Sequence, residues 1–145
     1  GVEWGELDYL IIDLPPGTGD AQITLAQSSK LSGSIIISTP QDIALIDARK
    51  AINMFKRVDV PVLGIVENMS YFICSNCNER HEIFSNGGAK KEAENFKTNF
   101  LGELPIDKNI RIQSDEGHPV CISYPESSIA KTFLQIAEKV VQNLN

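Results

Sequence analysis

Residues 60–77 read VPVLGIVENMSYFICSNC, an apolar run followed by a pair of cysteines. The part PVLGIVEN (61–68) is apolar on both faces of an extended chain, which is typical of a strand buried in a parallel sheet. Three more runs have this character: DYLIID (8–13), SIIIST (34–39) and the weaker NFLGELPI (99–106). The sequence therefore predicts four strands of a sheet that is covered by helices.

Four segments with helical periodicity lie between or after these runs: 19–31, 42–58, 88–99 and 126–144. Asp20 is the predicted N-cap of the first one. The last one places apolar residues on a single face, as in a surface helix that packs on a core; they are Ile129, Phe133, Ile136, Val140 and Leu144. Alternation of strands and helices predicts an α/β fold with a doubly wound, mostly parallel sheet.

The segment 69–88 interrupts this alternation, because it is polar and contains both Cys74 and Cys77. We predict a long loop here, and loops of that length in compact domains are often functional. Glu67, just before it, is predicted to be a solvated charge at the end of a strand.

Composition excludes several classes of function. The chain has 145 residues and a net charge of −6, without a Lys/Arg cluster, which argues against nucleic-acid binding. No apolar run approaches the roughly 20 residues that span a bilayer, and no membrane partner is expected. The chain has 3 cysteines with one close pair, which is unlike a secreted disulfide framework. A reducing compartment is expected, most simply the cytoplasm.

The C-x-x-C pair supplies two thiolates, whereas a tetrahedral metal or an iron–sulfur cluster takes about four ligands. A structural zinc site within one chain would need His81 as a third ligand, although this residue lies among charges and is expected to face solvent. Cys121 lies in an apolar setting, where a free cysteine packs as a small hydrophobe. A thioredoxin-like redox pair is a second alternative. The third alternative is a C₂ dimer, in which two chains together supply four thiolates.

A second candidate site is DLPPGTGD (13–20), directly after the first predicted strand. Ligands of open α/β sheets bind outside the carboxyl ends of the strands. Asp13 could hold a Mg²⁺ ion through water, and the N–H groups of Gly17 and Gly19 could approach a phosphate. The structural alternative is that Asp13 caps a turn that the Pro-Gly residues make.

Collinear blocks along the whole chain resemble one known family; they are DYLIIDLPPGTGD, TPQDIALIDARKA, VPVLGIVENMSYFICSNC, FSNGGAKKEAE and FLGELPID. The chain resembles the Mrp/ApbC family of deviant-Walker P-loop ATPases, which are related to MinD and to the nitrogenase iron protein. Members of this family carry iron–sulfur clusters. The resemblance implies an ATP-dependent carrier that transfers a cluster to apo-proteins.

The resemblance also assigns roles by position. Asp13 matches the magnesium-associated aspartate of the Walker B strand, and Gly17 matches a γ-phosphate contact in the switch II loop. Asn68 matches the residue that reads adenine, and its amide can both donate and accept. Pro105 and Asp107 match the segment that lines the base and ribose. The implied ligands are therefore ATP and Mg²⁺.

Cys74 and Cys77 match the family's cluster ligands, which implies a [4Fe–4S] cluster shared across a homodimer. Two other functions stay open at this point. One is a MinD- or ParA-like positioning ATPase, although the terminal helix lacks the basic face of an interfacial anchor. The other is a zinc-stabilised interaction module.

The family's Walker A motif, G-K-G-G-V-G-K-[ST], does not occur in these residues, and NGGAKK (86–91) lacks its spacing. In the family fold, the Walker A strand lies between the strands that match 8–13 and 34–39. We therefore expect residues 1–145 to be the C-terminal portion of a single P-loop NTPase domain with an incomplete sheet. That portion alone is expected neither to hydrolyse ATP nor to fold stably.

Overall fold

The computed structural model describes residues 1–144 and contains one four-stranded sheet. Its strands are β1 (Ser34–Ser38), β2 (Val62–Ile73), β3 (Arg80–His81) and β4 (Phe100–Ile106). β2 lies between β1 and β4 and runs parallel to both, while β3 pairs antiparallel with the end of β2. The predicted mostly parallel sheet is confirmed.

The helices are α1 (Asp20–Ser28), α2 (Asp42–Arg57), α3 (Gly88–Phe96), α4 (Lys108–Asp115), α5 (Val120–Ser123) and α6 (Ser128–Leu144). The four predicted helices are present, whereas the short α4 buries no residue and has no apolar stripe that sequence could reveal. Gly19, not Asp20, is the N-cap of α1. The carboxylate of Asp20 lies in the first turn instead, where the helix dipole favours negative charge. Within residues 1–144, no helix is both long and apolar enough to cross a membrane.

Helices cover both faces of the sheet. On one face, a core cluster joins α1, α2 and α3 to β1 and β2 through fully or nearly buried side chains such as Ile52 and Ile65. On the other face, Leu101 and Leu104 of β4 pack beneath the apolar stripe of α6. This two-sided cover explains why the strands are apolar on both faces, and it confirms the doubly wound α/β class.

Residues 8–13 do not form the predicted strand. Leu10, Ile11 and Ile12 are exposed by 49%, 76% and 46%. β1 pairs with β2 alone, and no other strand among residues 1–144 lies along its second edge. An extended segment needs a neighbour for its backbone N–H and C=O groups. The family that the sequence resembles is expected to have a further strand between 8–13 and β1, and no strand among the described residues lies there.

The segment 69–88 is more ordered than the predicted long loop. β2 continues to Ile73, because Tyr71 and Phe72 pair with Pro105 and Ile106 of β4. The register shifts between Glu67 and Tyr71, and Met69 adopts a positive φ of 55° within this irregular stretch. β2 then turns into β3, so the two cysteines lie in the turn of a β-hairpin.

Candidate functional site

We define the cysteine hairpin as residues 72–81, which comprise the end of β2, a turn and β3. The backbone N–H of Cys74 donates to the carbonyl of Glu79 at 2.9 Å, and the N–H of Asn78 donates to the carbonyl of Cys74 at 2.8 Å. Asn78 has a φ of 59°, a left-handed conformation that asparagine tolerates better than most residues. Local hydrogen bonds therefore shape the turn.

The turn also favours the thiolate form of its first cysteine. Hydrogen bonds from the backbone N–H of Cys77 and then of Asn76, with a further one from the Cys77 thiol, lower the pKa of the Cys74 thiol. The thiolate is the form that binds metals. Cys74 is half-buried and Cys77 exposed, and both are free thiols. The hairpin thus presents two accessible sulfurs without a helix behind them, which disfavours the thioredoxin-like alternative.

Arg80 attaches the hairpin to the sheet. Its Nη1 and Nη2 donate to Oε1 and Oε2 of Glu103 in β4 at 2.9 and 3.3 Å. The guanidinium also lies 3.9 Å from the ring centroid of Tyr71, a cation–π contact. The hydrogen bond from Arg80 lowers the pKa of Glu103. Because β3 has only two residues, these side-chain contacts supply much of its attachment.

Glu67 is fully buried, so its prediction as a solvated charge is wrong. Its carboxylate accepts hydrogen bonds from the N–H groups of Ala89 at 2.8 Å and Gly87 at 3.3 Å, at the start of α3. The N-cap residue of α3 is Gly87, which has no side chain to cap the helix. A carboxylate from a distant strand therefore satisfies helix N–H groups that would otherwise lack an acceptor.

Ser70 links this buried carboxylate to the hairpin. Its Oγ lies 2.6 Å from Oε1 of Glu67 and 3.1 Å from Oε2 of Glu103, and its single proton is shared between the two acceptors. We call Glu67, Ser70, Glu103 and Arg80 the carboxylate network. It runs from the first turn of α3 to the cysteine hairpin. The only sequence signal for it is the presence of glutamates within apolar strands, since buried carboxylates need partners.

Three of the residues predicted for the nucleotide line one cavity of about 1100 Å³: Asp13, Gly17 and Asn68. The side chain of Gln22 donates to the carbonyl of Pro15 at 2.7 Å and anchors the loop that precedes α1. Gly17 has a φ of 100°, which only glycine adopts readily. The same cavity is also lined by residues 8–12, by β1 and by Val140 and Leu144 of α6, so it includes the open space beside β1.

The other predicted nucleotide residues lie elsewhere. Pro105 pairs with Tyr71 in the sheet, and Asp107 caps α4 by accepting from the N–H groups of Asn109 and Ile110 at 2.6 and 3.2 Å. Within residues 1–144, the lining of the cavity includes neither of them. The Oδ1 of Asn68 already accepts from the N–H of Met69 at 3.0 Å. This oxygen keeps a second lone pair, and the NH₂ group has two protons to donate.

The mostly parallel sheet with helices on both faces has solved counterparts. Cell-division ATPase MinD from Pyrococcus furiosus shares the fold, with a TM-score of 0.60 at 23% identity over 77% of this chain and 43% of that chain. Residues 1–141 match the family model described as "ParA: NUBPL iron-transfer P-loop NTPase". The chain belongs to this family, which confirms the resemblance seen in its sequence.

Several curated relatives are about half identical to the chain. The "Iron-sulfur protein required for NADH dehydrogenase, mitochondrial" of Arabidopsis thaliana is 51% identical over 99% of this chain and 46% of its own length. The "Iron-sulfur cluster carrier protein" of Escherichia coli K12 is 52% identical over 97% of this chain and 38% of its own. The chain thus spans less than half the length of these relatives.

A solved nucleotide-binding protein from Archaeoglobus fulgidus, described as a complex with ADP and with Co, is also similar to the chain. It is 47% identical and has a TM-score of 0.73 over 86% of this chain and 50% of that chain. This match covers most of the described fold in a protein that is described as binding a nucleotide.

Replacing Glu67 with alanine should destabilise the protein by about 2–3 kcal/mol, because the N–H groups of Gly87 and Ala89 lose a buried acceptor. Glu94→Ala, at an exposed position of α3, is the matched control and should cost less than about 0.5 kcal/mol. Urea unfolding of the full-length protein measures both. Equal costs for the two variants would contradict the anchoring role of Glu67.

The Arg80–Glu103 pair should show a coupling free energy of about 0.5–1 kcal/mol at neutral pH, since both side chains are partly exposed. A double-mutant cycle with Arg80→Met and Glu103→Gln measures it. The pKa of Glu103 is lowered, so the coupling should be complete above the ordinary glutamate value of about 4.3 and decline as the pH falls through the lowered pKa. A coupling that stays constant with pH would show that the ion pair does not hold the hairpin.

Proposed function

We propose that the protein is an ATP-dependent iron–sulfur cluster carrier that binds a cluster between two subunits and transfers it to apo-proteins. The observation that carries this proposal is the accessible pair of thiols on the cysteine hairpin, in a chain that belongs to an iron-transfer family. The names of the Arabidopsis and Escherichia coli relatives support the same cargo.

The cluster is the cargo, and each subunit supplies half of its ligands. Cys74 and Cys77 offer two thiolates, and a [4Fe–4S] cluster usually takes four. In a C₂ homodimer, the hairpin of one subunit faces its own copy, so the twin completes the coordination without any further sequence. A cluster held by two exposed hairpins is open to attack by the thiolates of an apo-protein, which is what a carrier requires.

The nucleotide site is proposed at the cavity that Asp13, Gly17 and Asn68 line. The exposed carboxylate of Asp13 fits a Mg²⁺ ion that keeps most of its water, and the bound ion would neutralise phosphate charge. The N–H of Gly17 would contact the γ-phosphate, and the NH₂ of Asn68 would donate to adenine. Pro105 and Asp107 are proposed to line the base and ribose from the end of β4. The intact protein is proposed to hydrolyse ATP with a phosphate-binding loop that these 145 residues do not contain.

The two proposed sites share strand β2. Asn68 lies within this strand, and Cys74 follows directly after its end at Ile73. The carboxylate network lies between them and fixes both the hairpin and the start of α3. A change at Asn68 on nucleotide binding would reach the hairpin along this strand. We propose that this change loosens the bridge and releases the cluster.

For the compartment we propose the cytoplasm. The chain has 3 cysteines with one close pair, which is unlike a secreted disulfide framework and supports a reducing environment. The Arabidopsis relative is named as a mitochondrial protein, and that location is a property of the relative.

Replacing Cys74 or Cys77 with alanine should abolish the iron–sulfur absorption of the anaerobically reconstituted full-length protein, because each change removes two of the four thiolates in the dimer. Nucleotide binding, measured by equilibrium titration with ADP, should stay within about twofold of wild type. Cys121→Ala is the matched control and should retain the full cluster, since this thiol lies on α5 and is not part of the hairpin. A cluster that survives in the Cys74 or Cys77 variant would contradict the proposal.

A further inference from the structure

The cysteine hairpin contains more metal ligands than its two thiols. One ligand atom from each of Cys77, Glu79 and His81 lies within 4.8 Å of the others. Cys77 lies in the turn, Glu79 leads out of it and His81 belongs to β3. Together they offer a sulfur, a carboxylate oxygen and an imidazole nitrogen, which are the three donor types that Zn²⁺ takes in proteins.

The sulfur of Cys74 is a fourth donor on the same hairpin. It accepts hydrogen bonds from the backbone of Asn76 and Cys77 and from the Cys77 thiol, so the two sulfurs are neighbours. The backbone of the hairpin holds the set together, because His81 pairs with Phe72 across the strands and Cys74 pairs with Glu79. One chain therefore groups three donors, and the Cys74 sulfur lies beside Cys77 as a fourth donor just outside the 4.8 Å group.

The two donors that are not cysteines are available to an ion. The side chains of Glu79 and His81 are exposed by 70% and 47%, and they contact each other at 3.8 Å. By contrast, the neighbouring Arg80 is directed to Glu103 and Tyr71, so it does not place its positive charge among the donors. Donors bonded to zinc at 2.0–2.3 Å in a tetrahedron lie about 3.3–3.8 Å from one another. Glu79 and His81 already lie 3.8 Å apart, so the three donors need only a small contraction from their 4.8 Å limit.

We propose that a single chain binds one Zn²⁺ ion through Cys74, Cys77, Glu79 and His81, and that this ion excludes the iron–sulfur cluster from the hairpin. The two thiols release their protons to solvent as they bind the ion. The exclusion rests on the proposed function above, because it assumes that the cluster uses the same two thiolates. The ion needs one chain and the cluster needs two, so zinc would hold the carrier in an unloaded state.

The test uses the full-length protein, stripped of metal under anaerobic conditions and titrated with ZnCl₂ in competition with a chromophoric chelator. We expect one ion per chain. His81→Ala and Glu79→Gln should each weaken zinc binding by at least about tenfold, since even an outer partner of a zinc ligand is worth about 10- to 100-fold. His118→Ala removes the other histidine, which lies between α4 and α5, and should leave the affinity unchanged.

Zinc added before reconstitution should also block cluster assembly in wild type. In His81→Ala, the same concentration of zinc should block it far less, while assembly without zinc stays at the wild-type level. One ion per two chains with no effect of His81→Ala would overturn the proposal, because the ion would then be shared by four thiolates. Absence of zinc binding would also overturn it. If no cluster forms but one zinc per chain binds through His81, the proposed carrier function fails while the zinc site stands.

Discussion

The structure depends on one buried carboxylate. Glu67 lies in the central strand with no exposed surface, and an unpaired carboxylate there would cost several kcal/mol. Its hydrogen bonds to the first turn of α3 and to Ser70 meet that requirement. The same bonds fix where α3 begins, and through Ser70 and Glu103 they fix where the cysteine hairpin leaves the sheet. One electrostatic constraint thus sets the positions of a helix, a strand and the cysteine hairpin.

This arrangement explains how a short hairpin can be both exposed and well defined. Cys74 is half-buried and Cys77 is exposed, which leaves little apolar burial to hold the turn. Backbone hydrogen bonds within the turn and the contacts of Arg80 with Glu103 and Tyr71 replace that burial. Polar contacts with fixed directions are suited to this task, because they orient the turn without covering its sulfurs.

Much of the fold follows from the sequence, because apolar runs and helical stripes record which surfaces are buried. The stripe of α6 and the runs of β1, β2 and β4 behave in this way. Residues 8–13 have the same apolar pattern and stay exposed, since a strand also needs a neighbour that the pattern does not supply. Glu67 could not be placed from sequence, because a carboxylate in a strand looks the same whether solvent or a helix N-terminus satisfies it. Of the candidate site residues, Asp13, Gly17 and Asn68 converge on one cavity, whereas the role of Arg80 depends on a strand of only two residues.

The central claim is that the chain itself shapes the cysteine hairpin before any metal or cluster binds. Amide hydrogen exchange of the metal-free, full-length protein, resolved residue by residue by NMR, tests this most directly. The account predicts that the amides of Cys74 and Asn78, which donate to Glu79 and to Cys74, exchange far more slowly than in an unfolded chain. Exchange of these two amides at unfolded rates until metal is added would contradict it.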